Sequence, residues 1–303
     1  MVRAVLVGFF VATLFVPGAS LFAATDAETA VADATVNVYC TYKSGNKLYS
    51  STGSGFFISN RGVILTNAHV AVPFLLTSST GKSVSDCSVR TGSPAKATYT
   101  AKVVFISSDW VSANVGELKK GKPRGTGEGD VALLVVTGAK KGELPASFPT
   151  LPYLTHPLVQ EGDQLIAVGY PAEKQNFKQV RSKLQRTVAT PTLSSVRYFV
   201  RPYADVLTLT PSSASASGVS GGPIATKEGA AIAMTTAVES GEGEDRSLRA
   251  ITLSYVDRFL LKETGNPLST VLAGDFSTLA TQTTASISTK LQKDLRSALL
   301  KRR

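Results

Sequence analysis

After its first two dozen residues the sequence has no apolar run long enough to cross a bilayer, which excludes further membrane spans. It also lacks the combined aromatic and basic motif of a nucleic-acid module, so we expect no nucleic acid partner despite a net charge of +10. Charged residues make up only 18% of the chain, and hydrophobic residues make up 43%. This balance excludes a disordered chain and predicts a globular protein with a substantial core.

The start of the chain has the order of residues found in secretory signals. Arg3 precedes an apolar run that continues to Ala24 and ends in small residues. We expect residues 1–24 to be a signal peptide that is cleaved on export, which predicts a secreted or periplasmic protein. An uncleaved segment that anchors the protein in the membrane is the alternative.

Cysteine is scarce: only Cys40 and Cys87 are present, and both follow the signal segment. Because an exported protein meets an oxidising environment, a disulfide between them is permitted. Such a bridge closes a long loop and contributes about 4 kcal/mol in the chain-entropy model. We predict the bridge, and two buried free thiols are the alternative.

Short runs rich in β-branched and aromatic residues, separated by Gly, Ser, Asn and Lys clusters, recur through most of the chain. This spacing is typical of β-barrels and sandwiches. We predict an all-β fold with two packed barrels, over residues 34–150 and 162–262, joined by a linker that contains prolines. A strand is expected over 180–192, and the basic, glycine-rich stretch 114–129 is expected to be an exposed loop. No sequence repeat relates the two halves.

The last part of the chain, residues 263–303, is expected to hold a loose Thr-rich segment over 277–285 and then a C-terminal basic amphipathic helix. Apolar residues recur there at steps of four, the period of one helix face, at Ile287, Leu291, Leu295 and Leu299. The stripe should pack on the body or on a partner, and the basic face can contact an anionic lipid or cell-wall polymer. A solvated helix end is the alternative. Nothing in the sequence indicates an oligomeric state.

Three motifs carry the residue types of nucleophilic catalysis, in the chain order His, Asp, Ser. His69 follows a short strand, Asp130 precedes an apolar strand, and Ser220 lies between glycines in the segment 218–223. Serine is a poor nucleophile, so it needs a base to take its proton, and the base needs an anion to orient it. Each motif alone is compatible with an ordinary turn or strand end. Their combination predicts that His69 is the base, Asp130 the orienting anion and Ser220 the nucleophile.

The reaction also needs donors for the developing oxyanion. The backbone N–H groups of Gly218 and Ser220 are the natural pair, because the glycines allow a sharp bend next to the serine.

Several segments together resemble the trypsin-like peptidases, and most of all their bacterial HtrA-like members. The matching segments are 54–58, 65–70, 130–134, 162–171, 218–223 and 234–238. The resemblance covers about residues 34–260. It implies two packed six-stranded β-barrels of the trypsin fold with a C-terminal helix, a serine endopeptidase activity on polypeptide substrates, and neither a cofactor nor a metal.

The sequence departs from these families in two respects. Too few residues follow Leu260 for the PDZ domain that HtrA-like members usually carry. Val219 stands where zymogen-type trypsins have an aspartate, and no Ile-Val-Gly-Gly start is visible. We therefore expect no PDZ domain and no activation by cleavage of a propeptide.

The resemblance also implies a pocket for the substrate side chain at the cleavage point. Its floor, six residues before the serine, is Ala214, and its walls are Thr235, Thr236, Ala237, Leu248 and Ala250. If Leu248 and Ala250 face inward, the pocket is small and apolar and favours cleavage after Val, Ala or Leu. If the register is shifted by one, Arg249 faces inward and acidic residues are favoured. Thr235 is expected to donate a hydrogen bond to Asp130.

Two other classes of function compete with an active endopeptidase. One is a trypsin-fold binding or scaffold protein without turnover, although degenerate members usually lose a residue of the triad. The other is an esterase-like hydrolase, which shares the acyl chemistry but usually has another fold.

Overall fold

The structure is a computed structural model that describes residues 20–44, 46–76, 84–120, 126–238 and 247–300. The signal peptide predicted over 1–24 therefore lies almost entirely outside the described residues. Its last residues begin helix α1 (Ser20–Ala34), which leads into the first strand. Within the described residues, no helix combines the length and the apolar character needed to span a membrane.

The first half of the chain forms a closed barrel. Its strands are β1 (Thr35–Ser44), β2 (Lys47–Ser59), β3 (Val63–Thr66), β4 (Ser85–Thr91), β5 (Lys96–Ile106) and β6 (Ala132–Ala139). Among the described residues, six strands close in the order β1-β2-β3-β6-β5-β4. Cys40 of β1 lies opposite Cys87 of β4 and the two form a disulfide with an S–S distance of 2.01 Å, which confirms the predicted bridge.

The second half forms an open, half-barrel sheet. Its strands are β7 (Ile166–Gly169), β8 (Thr187–Ala189), β9 (Leu193–Arg197), β10 (Val206–Leu209), β11 (Pro223–Ala225), β12 (Ala231–Val238) and β13 (Leu248–Thr252). Seven strands of the described chain pair in the order β8-β7-β11-β12-β13-β10-β9. The trypsin-type arrangement of two β-barrel-like sheets is thus confirmed, but the prediction of six strands in the second barrel is wrong.

The seventh strand arises from a turn at 226–230 that separates β11 from β12, in which Thr226 N donates to Ala230 O and Gly229 N donates to Thr226 O. Pro191, which has no backbone N–H and cannot donate to a ladder, lies between β8 and β9, two short strands at opposite edges of the sheet. The strand predicted over 180–192 is also wrong at its start, where helix α4 (Phe177–Ser182) forms instead. Asn176 caps this helix: its side chain accepts from Gln179 N, and the Gln179 side chain accepts from Asn176 N.

Three further helices interrupt or follow the strands of the barrels. They are α2 (Ala68–Ala71), α3 (Ser108–Lys120) and α5 (Leu253–Thr264). Helix α3 replaces the first part of the exposed loop predicted over 114–129, and it packs through the buried residues Val111 and Leu118. A loop was expected because glycine and lysine are frequent there, but two buried contacts outweigh the weak intrinsic preference of those residues.

The chain ends in α6 (Leu268–Ala273), α7 (Phe276–Ser286) and α8 (Thr289–Leu300), which return to the first barrel. The Thr-rich segment 277–285 is therefore helical, and the prediction of a loose segment is wrong. Asp275 caps α7 by accepting from the backbone N–H groups of Ser277 and Thr278. Thr283 donates to the carbonyl of Val104 in β5, so a threonine of the segment that was expected to be loose anchors the helix.

Arg61 of the first barrel holds the end of α6. Its guanidinium donates to the carbonyl oxygens of Leu272, Ala273 and Gly274 at 3.0–3.1 Å. It also lies over the ring of Phe276, with 4.3 Å from Cζ to the ring centroid. One cation therefore satisfies carbonyl groups that the helix end leaves without intrahelical partners.

Helix α8 packs its apolar stripe on the body of the protein. Leu291, Leu295 and Leu299 are buried in one hydrophobic cluster with Val111 and Leu118 of α3. Lys290 and Lys293 are exposed, so contact of a basic face with an anionic surface stays a prediction.

We expect Leu295→Ala to lower the free energy of unfolding by about 2–5 kcal/mol, because Leu295 is fully buried between α8 and α3. Leu261→Ala is the matched control, since Leu261 is 48% exposed on α5 and its loss should cost no more than about 0.5 kcal/mol. Denaturant unfolding of the two variants measures the difference. Equal midpoints would show that α8 does not contribute to the core.

Candidate active site

The pairing of β3 with β6 brings His69 and Asp130 together. Thr66 at the end of β3 lies opposite Ala132 at the start of β6, so the residues just beyond these strand ends become neighbours. His69 N donates to Asp130 Oδ1 at 2.9 Å, and His69 Nδ1 lies 2.7 Å from Asp130 Oδ2. Because a carboxylate oxygen only accepts, the ring proton lies on Nδ1, which leaves Nε2 able to accept a proton.

The carboxylate of Asp130 is enclosed and bonded on more than one side. Its side chain is 8% exposed and that of His69 is 16% exposed. The side chain of Asn67 donates to the backbone oxygen of Asp130 at 3.0 Å. The hydroxyl of Thr236 donates to Asp130 Oδ2 at 3.2 Å.

This last contact corrects the expectation that Thr235 bonds to Asp130. Strand β12 has a β-bulge between Thr235 and Ala237, so Thr236 is the extra residue in its pairing with β13. A bulge re-aims a side chain, and here it turns the Thr236 hydroxyl towards the carboxylate. The alternation of side chains in the sequence could not reveal an inserted residue.

Ser54 connects the first barrel to the loop that carries Ser220. Its backbone N–H donates to the carbonyl of Ser220 at 2.7 Å, and its hydroxyl donates to the carbonyl of Gly218 at 2.9 Å. The same hydroxyl accepts from Tyr170 N at 2.9 Å. Sequence reasoning used Ser54 only as part of a matching segment and missed this role, because a serine before a glycine in a strand carries no signal of its own.

Two glycines allow the serine loop to approach these groups. Gly218 and Gly221 have φ values of +102° and +91°, a region that L side chains rarely adopt. A Cβ atom on Gly221 would overlap the carbonyl oxygen of Ser54, so no other residue fits there. Neither the Gly218 nor the Ser220 backbone N–H donates to an acceptor among the described residues.

The hydroxyl of Ser220 reaches the same group of residues. Ser220 Oγ lies 3.4 Å from the carbonyl oxygen of Thr236, whose side chain bonds to Asp130. No hydrogen bond joins Ser220 to the His69 ring within the described chain. Catalytic hydrogen bonds are often long without substrate, so this geometry is compatible with a proton transfer that follows substrate binding.

Three of the residues predicted to form the pocket at the cleavage point lie in one cluster, whereas Thr236 lies beside Asp130. Ala214, Leu248 and Ala250 are buried in one apolar cluster, in which no more than 2% of any of them is exposed. Arg249 lies between Leu248 and Ala250 and is half-buried, whereas its two neighbours are buried, and which of these side chains meets the substrate stays a prediction. Thr235 contributes its backbone, which donates to Gly222 O and accepts from Gly221 N. Ala237 pairs with Arg249 through the backbone of β12 and β13.

A separate cleft of about 560 Å³ lies beside His69, which is one of its lining residues. It is lined by aromatic rings that sequence reasoning did not single out, among them Trp110, Phe199 and Phe259. These rings are far apart in the chain, so no local motif could have revealed them. Tyr255 also lines the cleft. Burial raises the pKa of its phenol, and its hydroxyl oxygen accepts from Gly129 N at 2.7 Å.

A buried carboxylate, an imidazole and a serine hydroxyl at the junction of two β-barrel-like sheets are the components of a serine hydrolase of the trypsin-like class. Within the described residues, no group of three His, Cys, Asp or Glu side chains is arranged to hold a metal ion. A family model for the trypsin-like peptidase domain matches residues 53–234, which is more than half of the chain. The chain belongs to the trypsin-like peptidase family. A comparison with curated proteins finds no match, so the likeness to HtrA-like members stays a prediction.

We expect Thr236→Val to slow the labelling of Ser220 by a fluorophosphonate probe about tenfold to hundredfold, because a hydrogen bond to a charged group is worth about 1.5–3 kcal/mol. Thr235→Val is the matched control, since Thr235 is equally buried but does not bond to Asp130. Labelling rates followed by mass spectrometry compare the two variants. A slower rate in Thr235→Val than in Thr236→Val would contradict the assignment.

Proposed function

We propose that this protein is a serine endopeptidase that hydrolyses peptide bonds through an acyl-enzyme intermediate on Ser220. His69 takes the proton of the Ser220 hydroxyl and later gives it to the leaving amine. Asp130 orients the imidazole and stabilises the imidazolium that forms. The observation that carries the proposal is the His69–Asp130 pair at 2.7 Å beside the Ser220 loop. Membership of a trypsin-like peptidase family supports the same serine protease-type function.

The tetrahedral intermediate carries a negative charge that needs donors. We assign these donors to the backbone N–H groups of Gly218 and Ser220, and the assignment is supported by the lack of another acceptor for either group in the described residues. Because Ser54 holds the Gly218 carbonyl at 2.9 Å, the peptide groups of the loop are oriented before substrate arrives.

The test of this proposal is the loss of turnover in three variants. Ser220→Ala, His69→Ala and Asp130→Asn should each cleave a peptide substrate on the order of 10⁴-fold to 10⁶-fold more slowly, since each removes one member of a unit that acts together. Ser217→Ala is the matched control, because Ser217 is an exposed serine of the same loop. Circular dichroism checks that the variants are folded.

The outcomes also separate the competing functions. Near-normal cleavage by Ser220→Ala would refute the role of Ser220. A wild-type protein that binds peptides but neither cleaves them nor reacts with a fluorophosphonate would be a binding or scaffold protein. Turnover of esters with none of peptides would indicate an esterase-like hydrolase.

For the residue at the cleavage point, we propose a preference for small or aliphatic side chains. The side chains near the predicted floor are apolar at Ala214, Leu248 and Ala250, and an acidic group that would attract Lys or Arg is absent from these positions. Each methylene in such a pocket discriminates by about 1–3 kcal/mol. A peptide-library profile should show cleavage mainly after Val, Ala or Leu. Dominant cleavage after Lys, Arg, Asp or Glu would refute this preference.

A secreted or periplasmic location is compatible with the disulfide between Cys40 and Cys87, because such bonds persist in oxidising compartments. The cleavage of a signal peptide stays a prediction, and N-terminal sequencing of the exported protein would test it.

A further inference from the structure

The cleft beside His69 is bounded by parts of both halves of the protein. Helix α3 forms one wall, the segment 126–130 forms the base, and the loop 198–205 and helix α5 close the other sides. Its volume of about 560 Å³ is enough for a long side chain and part of a backbone. Because His69 also lines the cleft, a chain bound at the catalytic residues can reach into it.

Aromatic rings form the apolar surface of this cleft. The ring of Phe199 lies edge-on to that of Tyr255, with 5.0 Å between centroids, and Tyr255 stacks on Phe259 at 5.8 Å. Trp110 approaches from the opposite wall: its Cδ1 would lie 3.0 Å from a Cβ on Gly129. Ring faces attract cations as well as apolar groups.

The rim of the cleft carries an excess of carboxylates. Asp109, Glu128 and Glu263 are exposed, and none of the ion pairs between described residues includes them. Of the cations among the described lining residues, Lys262 is exposed and Arg258 is half-buried. Among the described lining residues, carboxylates therefore outnumber cations, in a protein whose net charge is +10.

The loop that carries Phe199 is fixed by a buried charge. Asp205 is 1% exposed, and its Oδ2 accepts from Phe199 N at 2.7 Å and from Val200 N at 3.1 Å. Asp205 Oδ1 accepts from Arg258 of α5, which also lies over the ring of Tyr203 at 4.1 Å. The aromatic wall is therefore held in position before a ligand binds.

We infer that this cleft binds an arginine or lysine side chain of the polypeptide substrate at a position away from the cleaved bond. The alkyl stem lies against the rings of Trp110 and Phe259, and the charged head is paired by the carboxylate of Glu128 with help from Asp109. The inference rests on the proposed peptidase function. The cleft thus selects a basic side chain of the substrate, whereas the pocket proposed at the cleavage point selects an apolar one.

Turnover measurements test this site with matched peptides. A series of quenched peptides carries one arginine at each position on either side of a fixed cleavage point, and each peptide is paired with one that has citrulline instead. Citrulline keeps the shape of arginine but has no charge. At one position the arginine peptide should have a kcat/KM about fivefold to tenfold higher, from cation–π and carboxylate contacts. Equal kcat/KM for both peptides at every position would overturn the inference.

Variants then assign the effect to the cleft. Glu128→Gln and Trp110→Ala should each reduce the arginine-to-citrulline ratio towards one. Glu143→Gln should retain the ratio, because Glu143 is an exposed glutamate that does not line the cleft. An unchanged ratio in both cleft variants would show that the preference arises elsewhere and would overturn the assignment.

Binding measurements separate this inference from the proposed catalysis. Fluorescence anisotropy with the Ser220→Ala protein and the same labelled peptides should show tighter binding of the arginine member. If wild type does not react with a fluorophosphonate, the peptidase function fails while this binding ratio still tests the cleft. If Ser220 is labelled and peptides are cleaved, but arginine and citrulline peptides bind equally, the cleft proposal alone fails.

Discussion

The hydrogen bonds of Ser54 hold the two halves of the protein at the spacing on which the site depends. His69 and Asp130 belong to the first barrel, whereas Ser220 belongs to the second sheet. Ser54 bonds to the carbonyls of Ser220 and Gly218 and to Tyr170 N, so one residue aligns the serine loop with the other barrel. A shift of about 1 Å at this junction would misplace Ser220 relative to His69, and a misplacement of that size can cost an enzyme on the order of 10²-fold in rate.

Two local irregularities of the backbone also bring the groups of the site together. The bulge at Thr236 turns a hydroxyl towards Asp130, and the positive φ of Gly221 lets the serine loop lie against Ser54. Both features weaken regular β structure, because they interrupt a ladder or use a residue without a side chain. They occur where the groups of the site must approach most closely.

The last of the C-terminal helices, α8, packs against helix α3, which forms one wall of the cleft beside His69. Arg61 secures the end of α6, and α8 packs through Leu295 against helix α3. Trp110 of α3 packs against the hydrophobic cluster that contains Leu295 and also lines the cleft beside His69. The tail therefore supports a surface beside His69 and Asp130, although it is distant from them in the chain.

Strand patterns and short motifs are local, so the amino-acid sequence was enough to predict the fold class, the Cys40–Cys87 bridge and the three motifs around His69, Asp130 and Ser220. Three features appear only in the folded protein: Thr236 rather than Thr235 meets Asp130, a turn at 226–230 separates β11 from β12, and the Thr-rich segment 277–285 is helical. The folded chain also brings together the aromatic rings that line the cleft beside His69. Apart from the turn, these features depend on contacts between residues far apart in the chain, where burial and hydrogen bonding outweigh local preference.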